Sequence, residues 1–433
     1  TGNDADAVAL NWKDRDQDRT DQSAFNYSGA LAAAEIYQNL GNDQKAQEMT
    51  ELAENIKESI LTVLWDDSEG ENGKVFKQKD IASGELVPWK DQQNFSPFTH
   101  EVAPNTDEYK QALRFYADKG QFPIMPFFTA NQFDKNLARE AGTGGSNNFS
   151  NINSTLQARL YATAIRKYPS EYITPEMYKK LIEWLTWTQY VGGDNRFPDN
   201  NEFWNSFDEE TKTLNYRSWI HHNILGAYNF SLIEDIAGMQ PRADETLELW
   251  PIDMGYEYFT VNNLRYHDSD LTIVWDKPDG KKHYGETPEG YSVYMDGQRV
   301  LTVDDLVHLT YDSKSGTVTI EDENSDADVT FNQEKGMKKA TEVTLSDNAR
   351  AVEMFQKAGV DLTVETGAAV NLAKGKSASA SYTSVGSRPE ELTKVENAVD
   401  GFTVSGLPTT RGNHYAAPNP IWGTKDSPNK QDW

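Results

Sequence analysis

Two stretches of this chain set a carboxylate among aromatic and amide neighbours, a setting suited to acid–base work. One is Thr1-Gly2-Asn3-Asp4-Ala5-Asp6, running on to Asn11-Trp12, and the other is Arg196-Phe197-Pro198-Asp199-Asn200-Asn201-Glu202-Phe203-Trp204-Asn205. Cleaving an acetal C–O bond needs one acid to protonate the leaving oxygen and one carboxylate opposite it, as base or nucleophile. With 68 acidic residues, a carboxylate alone identifies nothing. The useful filter is the aromatic setting, because partial burial raises a carboxyl pKa and suits it to acid–base work. The plain alternative for Glu202 is a solvated loop acid, and Phe197, Phe203 and Trp204 weigh against it. A third stretch, Phe95-Ser96-Pro97-Phe98-Thr99-His100-Glu101, is an aromatic turn before a helix, and its Glu101 reads more simply as a charge at a helix N-terminus. Trp12, Phe98, Trp204 and Trp219 are either core rings or flat walls for a substrate, and Asn153 and Arg217 could hydrogen-bond hydroxyls.

Other chemistries find less support. His221-His222 is an adjacent pair within a helical pattern, so the two rings point in different directions and do not form a metal pair. No HExxH spacing or Asp/Asn calcium loop occurs, so no metal is assigned and no cofactor is expected. Gly142-Thr143-Gly144-Gly145 lacks the Lys-Ser/Thr of a phosphate loop and reads as a flexible loop. The chain has no cysteine, which removes disulfides and thiolate nucleophiles together. A net charge of −27 repels phosphate backbones, so nucleic acid is excluded as a partner and neutral substrates are favoured. No apolar run approaches the roughly 18 residues of a membrane span, so no membrane insertion is expected within this segment. The chain opens at Thr1 without Met and stops at Trp433 inside what reads as a module, so it is read as an internal fragment.

Helices must position these loops. From Asp21 to about Asp235, helical apolar spacing alternates with aromatic, Asn- and Gly-rich loops. Helices are expected from Gln22 to Leu40, ended by Gly41, and from a cap at Asn42 or Asp43 to about Trp65. Further helices are expected over Asp107–Ala117, Ser154–Tyr168, Thr174–Tyr190 and Arg217–Ile236, with Thr174-Pro175 starting the fifth. Paired in order, these make three helical hairpins, half of a toroid in which six hairpins close an inner ring within an outer one. Near Asp244 the pattern changes to strands at Thr246–Trp250, Tyr258–Val261, Leu271–Trp275, Tyr291–Met295, Arg299–Val303 and Thr317–Ile320, with a hairpin turn at Asp296-Gly297. The segment from Glu323 to Gly367 reads as a short β-element with a helical turn around Ala349–Lys357.

Residues 20–275 resemble the C-terminal half of the (α/α)6-barrel glycosidases of the glucosidase, trehalase and rhamnosidase type. The resemblance rests on Glu202-Phe203-Trp204-Asn205, Asp208 through Thr213, and Tyr216-Arg217-Ser218-Trp219, with Asp208-Glu209-Glu210-Thr211 standing where Pro-x-Thr-Gly is usual. It implies that Glu202 is the catalytic base. Thr1-Gly2-Asn3-Asp4 is similar to the group's Ser-Gly-x-Asp segment, which implies Asp4 as general acid with Asp6 as fallback. Met239 to Leu249 looks like the group's exit from the last barrel helix into its β-domain. The chain is most similar to glycoside hydrolase family 121, whose members are β-L-arabinobiosidases exported by gut bacteria. That family also uses an essential glutamate before the segment present here. Asn371 to Ser381 and Glu396-Asn397-Ala398-Val399-Asp400-Gly401 resemble the start of a discoidin-like (F5/8 type C) carbohydrate-binding module, against the alternative of a Ser/Ala-rich linker.

The expected architecture is therefore multidomain. Residues 1–243 are read as half an (α/α)6 barrel, 244–322 as an antiparallel β-domain, 323–367 as a β-element or linker, and 368–433 as a partial carbohydrate-binding module. The resemblance implies a bacterial extracellular or cell-surface glycosidase that releases a terminal sugar or disaccharide from an oligosaccharide or glycoprotein glycan. Rival readings are an α-glucosidase or α-rhamnosidase on the same barrel, a phosphorylase, and a non-catalytic carbohydrate-binding or adhesion protein.

Overall fold

Alanine spacing shapes the first helical pair. A short strand β1 (Gln17–Asp18) leads into α1 (Thr20–Asn39), which buries Ala24, Tyr27, Ala30 and Ala34 along one face. Gly41, at φ +70°, takes the left-handed conformation that ends the helix. The Asn42 side chain then accepts a hydrogen bond from the Lys45 N–H at 3.1 Å and caps α2 (Asp43–Val63). α2 buries Ala46, Ala53 and Ile60, so small side chains let the two helices pack closely. The computed structural model describes residues 17–124, 130–140, 149–187, 201–208, 213–218, 229–285, 287–332 and 376–378. The chain divides into two compact units, Thr1–Val360 and Asp361–Trp433, and the elements described here belong to the first.

Strands β2 (Trp65–Asp66) and β3 (Val75–Phe76) pair with each other, and β4 (Lys79–Asp80) pairs back to β1. A 3-10 turn over Gln92–Phe95 runs into the single-turn α3 (Ser96–Thr99). The helix expected over 107–117 is two pieces, α4 (Asp107–Lys110) and α5 (Leu113–Ala117). At the break, the Glu108 carbonyl accepts from the Gln111 side chain and the Gln111 carbonyl accepts from the Arg114 guanidinium. There follow α6 (Lys135–Glu140), β5 (Phe149–Ser150), α7 (Asn151–Lys167) and α8 (Pro175–Trp187), whose N-terminus is capped by Thr174 as expected.

Strands β6 (Asn201–Asp208) and β7 (Thr213–Ser218) come next, with a π-helical turn at Ser231–Ile236. This corrects the helix expected from Arg217 to Ile236: Arg217 lies in a strand, and helical structure is described only close to Ile236. Phe203, Trp204, Thr213 and Tyr216 are aromatic or β-branched, residue types that favour a paired strand over a helix. Among the described residues the helices do not close a ring, and none is long and apolar enough to cross a membrane.

One core joins the helices through a run of aromatic rings. Phe95 meets Tyr116 at 4.7 Å and Phe122 at 5.6 Å, while Tyr116 meets Tyr161 at 5.8 Å and Tyr161 meets Tyr178 at 6.0 Å. Each such buried side chain contributes roughly 1.5–3 kcal/mol through removal from water.

A second core lies between two antiparallel sheets. The four-stranded sheet holds β8 (Met239–Gln240), β9 (Thr246–Leu249), β14 (Leu309–Asp312) and β15 (Thr317–Ile320), in the order β15-β14-β9-β8. The five-stranded sheet holds β10 (Tyr258–Tyr266), β11 (Ser269–Asp276), β12 (Gly290–Met295), β13 (Gln298–Val303) and β16 (Val329–Asn332), in the order β10-β11-β12-β13-β16. Alternate residues face the shared core: Leu271, Ile273 and Trp275 from one sheet, Leu247, Leu249, Leu309 and Tyr311 from the other. Asp296 and Gly297, both at positive φ, form the hairpin turn that the Asp-Gly pair predicts. A helical region followed by antiparallel sheets is thus established. The turn expected around residues 349–357, and all but 376–378 of the expected C-terminal module, lie outside the described residues.

Candidate active site

Glu202 lies on a strand rather than in the loop expected for it, and the strand is irregular at that residue. β6 pairs Asn201 with Ser218 and Phe203 with Arg217, so Glu202 is the extra residue of a β-bulge. A second irregularity between Trp204 and Ser206 leaves Asn205 in the same situation. Bulges bend a strand and re-aim the side chain at that position, and they are enriched beside active sites. On its other edge β6 pairs with β5, Trp204 opposite Phe149 and Phe203 opposite Ser150. β5 runs without a break into α7, whose first turn contains Asn153. The three-stranded sheet therefore brings the backbones of Asn153, Glu202, Trp204 and Arg217 to the N-terminal end of one helix. Asp4, Asp6, Trp12 and Trp219 lie outside the described residues. So do His221-His222 and the loop at Gly142–Gly145.

Phe98 is placed in the core instead of on a wall. It has 0% exposure and meets Phe76 and Tyr168 edge-on at 5.9 and 5.2 Å, so no ring face is left for a sugar. This corrects its reading as a substrate platform.

The structure also exposes a polar site that the sequence reading missed. Lys90-Asp91-Gln92-Gln93-Asn94 lies between Trp89 and Phe95, and all five polar residues are buried. Asp91 organises them. One carboxylate oxygen accepts from the Gln93 N–H at 2.9 Å, and the other accepts from the Gln78 side chain at 3.0 Å. The Asn94 side chain accepts from the Asp91 N–H and donates to the Phe76 carbonyl, both at 2.6 Å. Thr20, at the start of α1, donates its hydroxyl to the Gln93 carbonyl at 2.7 Å. Lys90 is held by Asp134 at 2.8 Å and by Asn72 at 3.1 Å, and burial lowers its pKa against the pull of Asp134. Nearby, the Arg19 guanidinium makes two 3.0 Å bonds to Asp21. The available signal was a five-residue polar run, free of Gly, Pro and Ser, set between aromatic residues.

Several buried polar atoms of the helical region have no protein partner. The side-chain oxygens of Gln78, Gln93, Gln157 and Tyr116 are buried without a hydrogen bond. Leaving such a group without any partner costs roughly 1–3 kcal/mol.

Farther along α7, a charged network fixes the helices to the sheets. Arg166 donates to Asp235 at 2.7 Å and to the Glu234 carbonyl at 2.7 Å, and it reaches the Trp250 carbonyl at 2.6 Å. The Tyr178 hydroxyl donates to the other Asp235 oxygen at 2.5 Å and lies 3.0 Å from Ser231 Oγ. Burial pushes the Asp235 carboxyl up while Arg166 and Tyr178 pull it down. Both acceptor oxygens are occupied, so Asp235 reads as a structural anchor. Among the described residues no group of three His, Cys, Asp or Glu side chains is placed to hold a metal ion.

Comparison with known proteins adds a functional class to this geometry. Residues 2–136 match the family model of the mannosylglycerate hydrolase MGH1-like glycoside hydrolase domain. That span includes the buried polar run at 90–94 and the Gly-Asn-Asp segment at 2–4. A solved structure titled "Sialidase" matches with a TM-score of 0.56 at 20% identity, over 69% of this chain and 27% of that one. This second likeness is one of fold, and the chain spans about a quarter of that protein's length. Together with the helices followed by antiparallel sheets, the match over residues 2–136 supports a glycoside hydrolase.

Proposed function

We propose that this chain contributes the C-terminal half of an (α/α)6-barrel catalytic domain that hydrolyses a glycosidic bond, with Asp4 as general acid and Glu202 as the opposing carboxylate. The observation that carries this reading is the β-bulge at Glu202, on a strand joined through β5 to the first turn of α7. The glycoside hydrolase match over residues 2–136, which spans Asp4, supports it. In the proposed reaction Asp4 gives a proton to the leaving oxygen. Glu202 either draws a proton from the water that displaces the leaving oxygen, inverting the anomeric centre, or itself displaces that oxygen to form a glycosyl-enzyme that water, deprotonated by Asp4, then hydrolyses with net retention. Trp12, Trp204 and Trp219 line the sugar in this scheme, and Asn153 and Arg217 hold its hydroxyls.

The substrate class proposed is a neutral plant-type glycan, with β-L-arabinofuranobiose as the released unit and residues 368–433 as a discoidin-like module that holds the glycan. A bacterial extracellular or cell-surface setting belongs to the same proposal. A second reading takes its substrate from the matched family's name, a mannoside of glyceric acid. The net charge of −27 disfavours that anion and favours the neutral glycan. The test is turnover by the full-length protein on a panel of both substrate kinds, with Glu202→Gln and Asp4→Asn variants. Each variant is expected to lose roughly 10²–10⁴-fold in rate while staying folded. Normal turnover by Glu202→Gln would remove Glu202 from the mechanism.

A further inference from the structure

α1 is apolar on two opposite sides. Ala24, Tyr27 and Ala30 fill the helical core, while Phe25, Gly29, Ala32, Ile36 and Leu40 recur every three or four residues on the far side. These five are exposed, Phe25 by 42%, Ile36 by 59% and Leu40 by 73%, and nothing lies within 4 Å of a Cβ placed on Gly29. At about 1.5 Å per residue the stripe runs roughly 22 Å. Its neighbour α2 is built differently: Ala46, Ala53 and Ile60 are buried, and Lys45, Gln47, Glu51, Glu54 and Glu58 are exposed. Such a one-sided helix suits the outside of a bundle, whereas a helix apolar all round belongs inside a larger core. The open surface continues into a groove of about 440 Å³ between Ser23 and Asn26 of α1 and Ile56 and Val63 of α2.

The side chains of the stripe restrict what can cover it. A lone exposed Leu is ordinary, but a contiguous apolar stripe marks a face that another surface covers. Gly29 and Ala32 stand at its middle, so a second helix axis can come to the near end of the usual separation of about 8–10 Å, with Phe25 and Ile36 on either side of the crossing. The stripe carries no charge: Asp21 is buried against Arg19, and Glu35 stands about 100° round the helix from Ile36. A basic or acidic partner therefore gains nothing here. Two copies of the chain would each bring a net charge of −27, which opposes their association. An apolar helix of the same polypeptide carries neither penalty.

We propose that the open face of α1 is a seam, covered in the full-length protein by an apolar helix from outside these 433 residues that crosses α1 at Gly29 and Ala32. This inference rests on the reading of the chain as half a barrel and names the surface and the kind of element that continue it. In that arrangement α1 is an inner helix, apolar on both sides because helices pack on both, and α2 is the outer helix of its hairpin.

The experiment uses the full-length protein with Ala32→Cys and, as an exposed control, Lys314→Cys in the turn between β14 and β15. Maleimide labelling of each introduced thiol is followed by peptide mass spectrometry. The thiol of Ala32→Cys is expected to react at least about 100-fold more slowly than the control, at every protein concentration, because it is reached only by local opening. Labelling at the control rate would overturn the proposal, and so would protection that appears only as concentration rises, which would assign the face to a second copy. In a second measurement Leu40 is replaced by p-benzoylphenylalanine and photo-crosslinked in the monomer. A joined peptide from outside residues 1–433 is expected, and one from within them would overturn the proposal. Such a crosslink in a protein that hydrolyses neither substrate kind would keep the seam and remove the catalytic reading, whereas turnover with an unprotected Ala32→Cys would do the reverse.

Discussion

His100 sits where burial and hydrogen bonding act together. Its Nδ1 shares a 2.7 Å hydrogen bond with the Ser28 hydroxyl, and Phe25 packs edge-on to its ring at 4.5 Å. Burial lowers its pKa, opposed by the negative charge of Asp21. The folded chain therefore binds fewer protons here than the unfolded chain, whose histidine titrates near about 6.5. The resulting stability is present above that pH and is lost as pH falls through the depressed folded value. A His100→Gln variant should show a flatter decline in its urea midpoint below about pH 6.5 than wild type. Parallel declines would mean that other groups govern the acid limb. At this scale the sequence was read unevenly. The aromatic turn at Phe95–Glu101 is legible, but whether Phe98 is core or wall is not, because an isolated sequence does not separate a buried ring from an exposed one.

Gly238 shows how one residue controls the passage from helix to sheet. It adopts φ +86°, and a Cβ there would meet the Pro251 nitrogen at 2.4 Å. The Gly238 carbonyl also accepts from the Trp250 N–H at 2.7 Å, so the two segments lie back to back. Gly238→Ala should cost about 2–5 kcal/mol, from a left-handed β-carbon together with overpacking against backbone. Chemical denaturation measures it, and a loss under about 1 kcal/mol would show that the junction can shift. Elements with local causes were legible in advance. Gly41, Asn42 and Thr174-Pro175 mark their helix ends, and the Asp296-Gly297 turn joins β12 to β13. Strands β6 and β7 were not foreseen, because their stability comes from each other and from β5. Short aromatic segments carry helical and strand patterns equally well until a partner is present.

Across the first unit, Arg166 ties two cores into one fold. Ile236 belongs to the helical core and Ala237 to the core between the sheets, and Arg166 binds the segment from both sides through Asp235 and the Trp250 carbonyl. Asp235 is fully buried, so Arg166→Met strands a carboxylate and should cost about 3–5 kcal/mol. It should also resolve melting of residues 17–332 into a helical and a sheet transition in calorimetry, whereas one unbroken transition would assign the coupling to apolar packing.

The sequence by itself determined the change from helices to antiparallel strands near residue 240, most helix ends, the acidic character and the carboxylate-and-aromatic segments worth testing. Those features depend on local spacing, capping and composition, which act between residues a few positions apart. Only the tertiary structure decided that Glu202 occupies a strand bulge, that Phe98 is core, and that the polar run from Lys90 to Asn94 is buried. Each of those depends on partners brought from distant parts of the chain, and burial is a property of the packed set of elements that no local pattern contains.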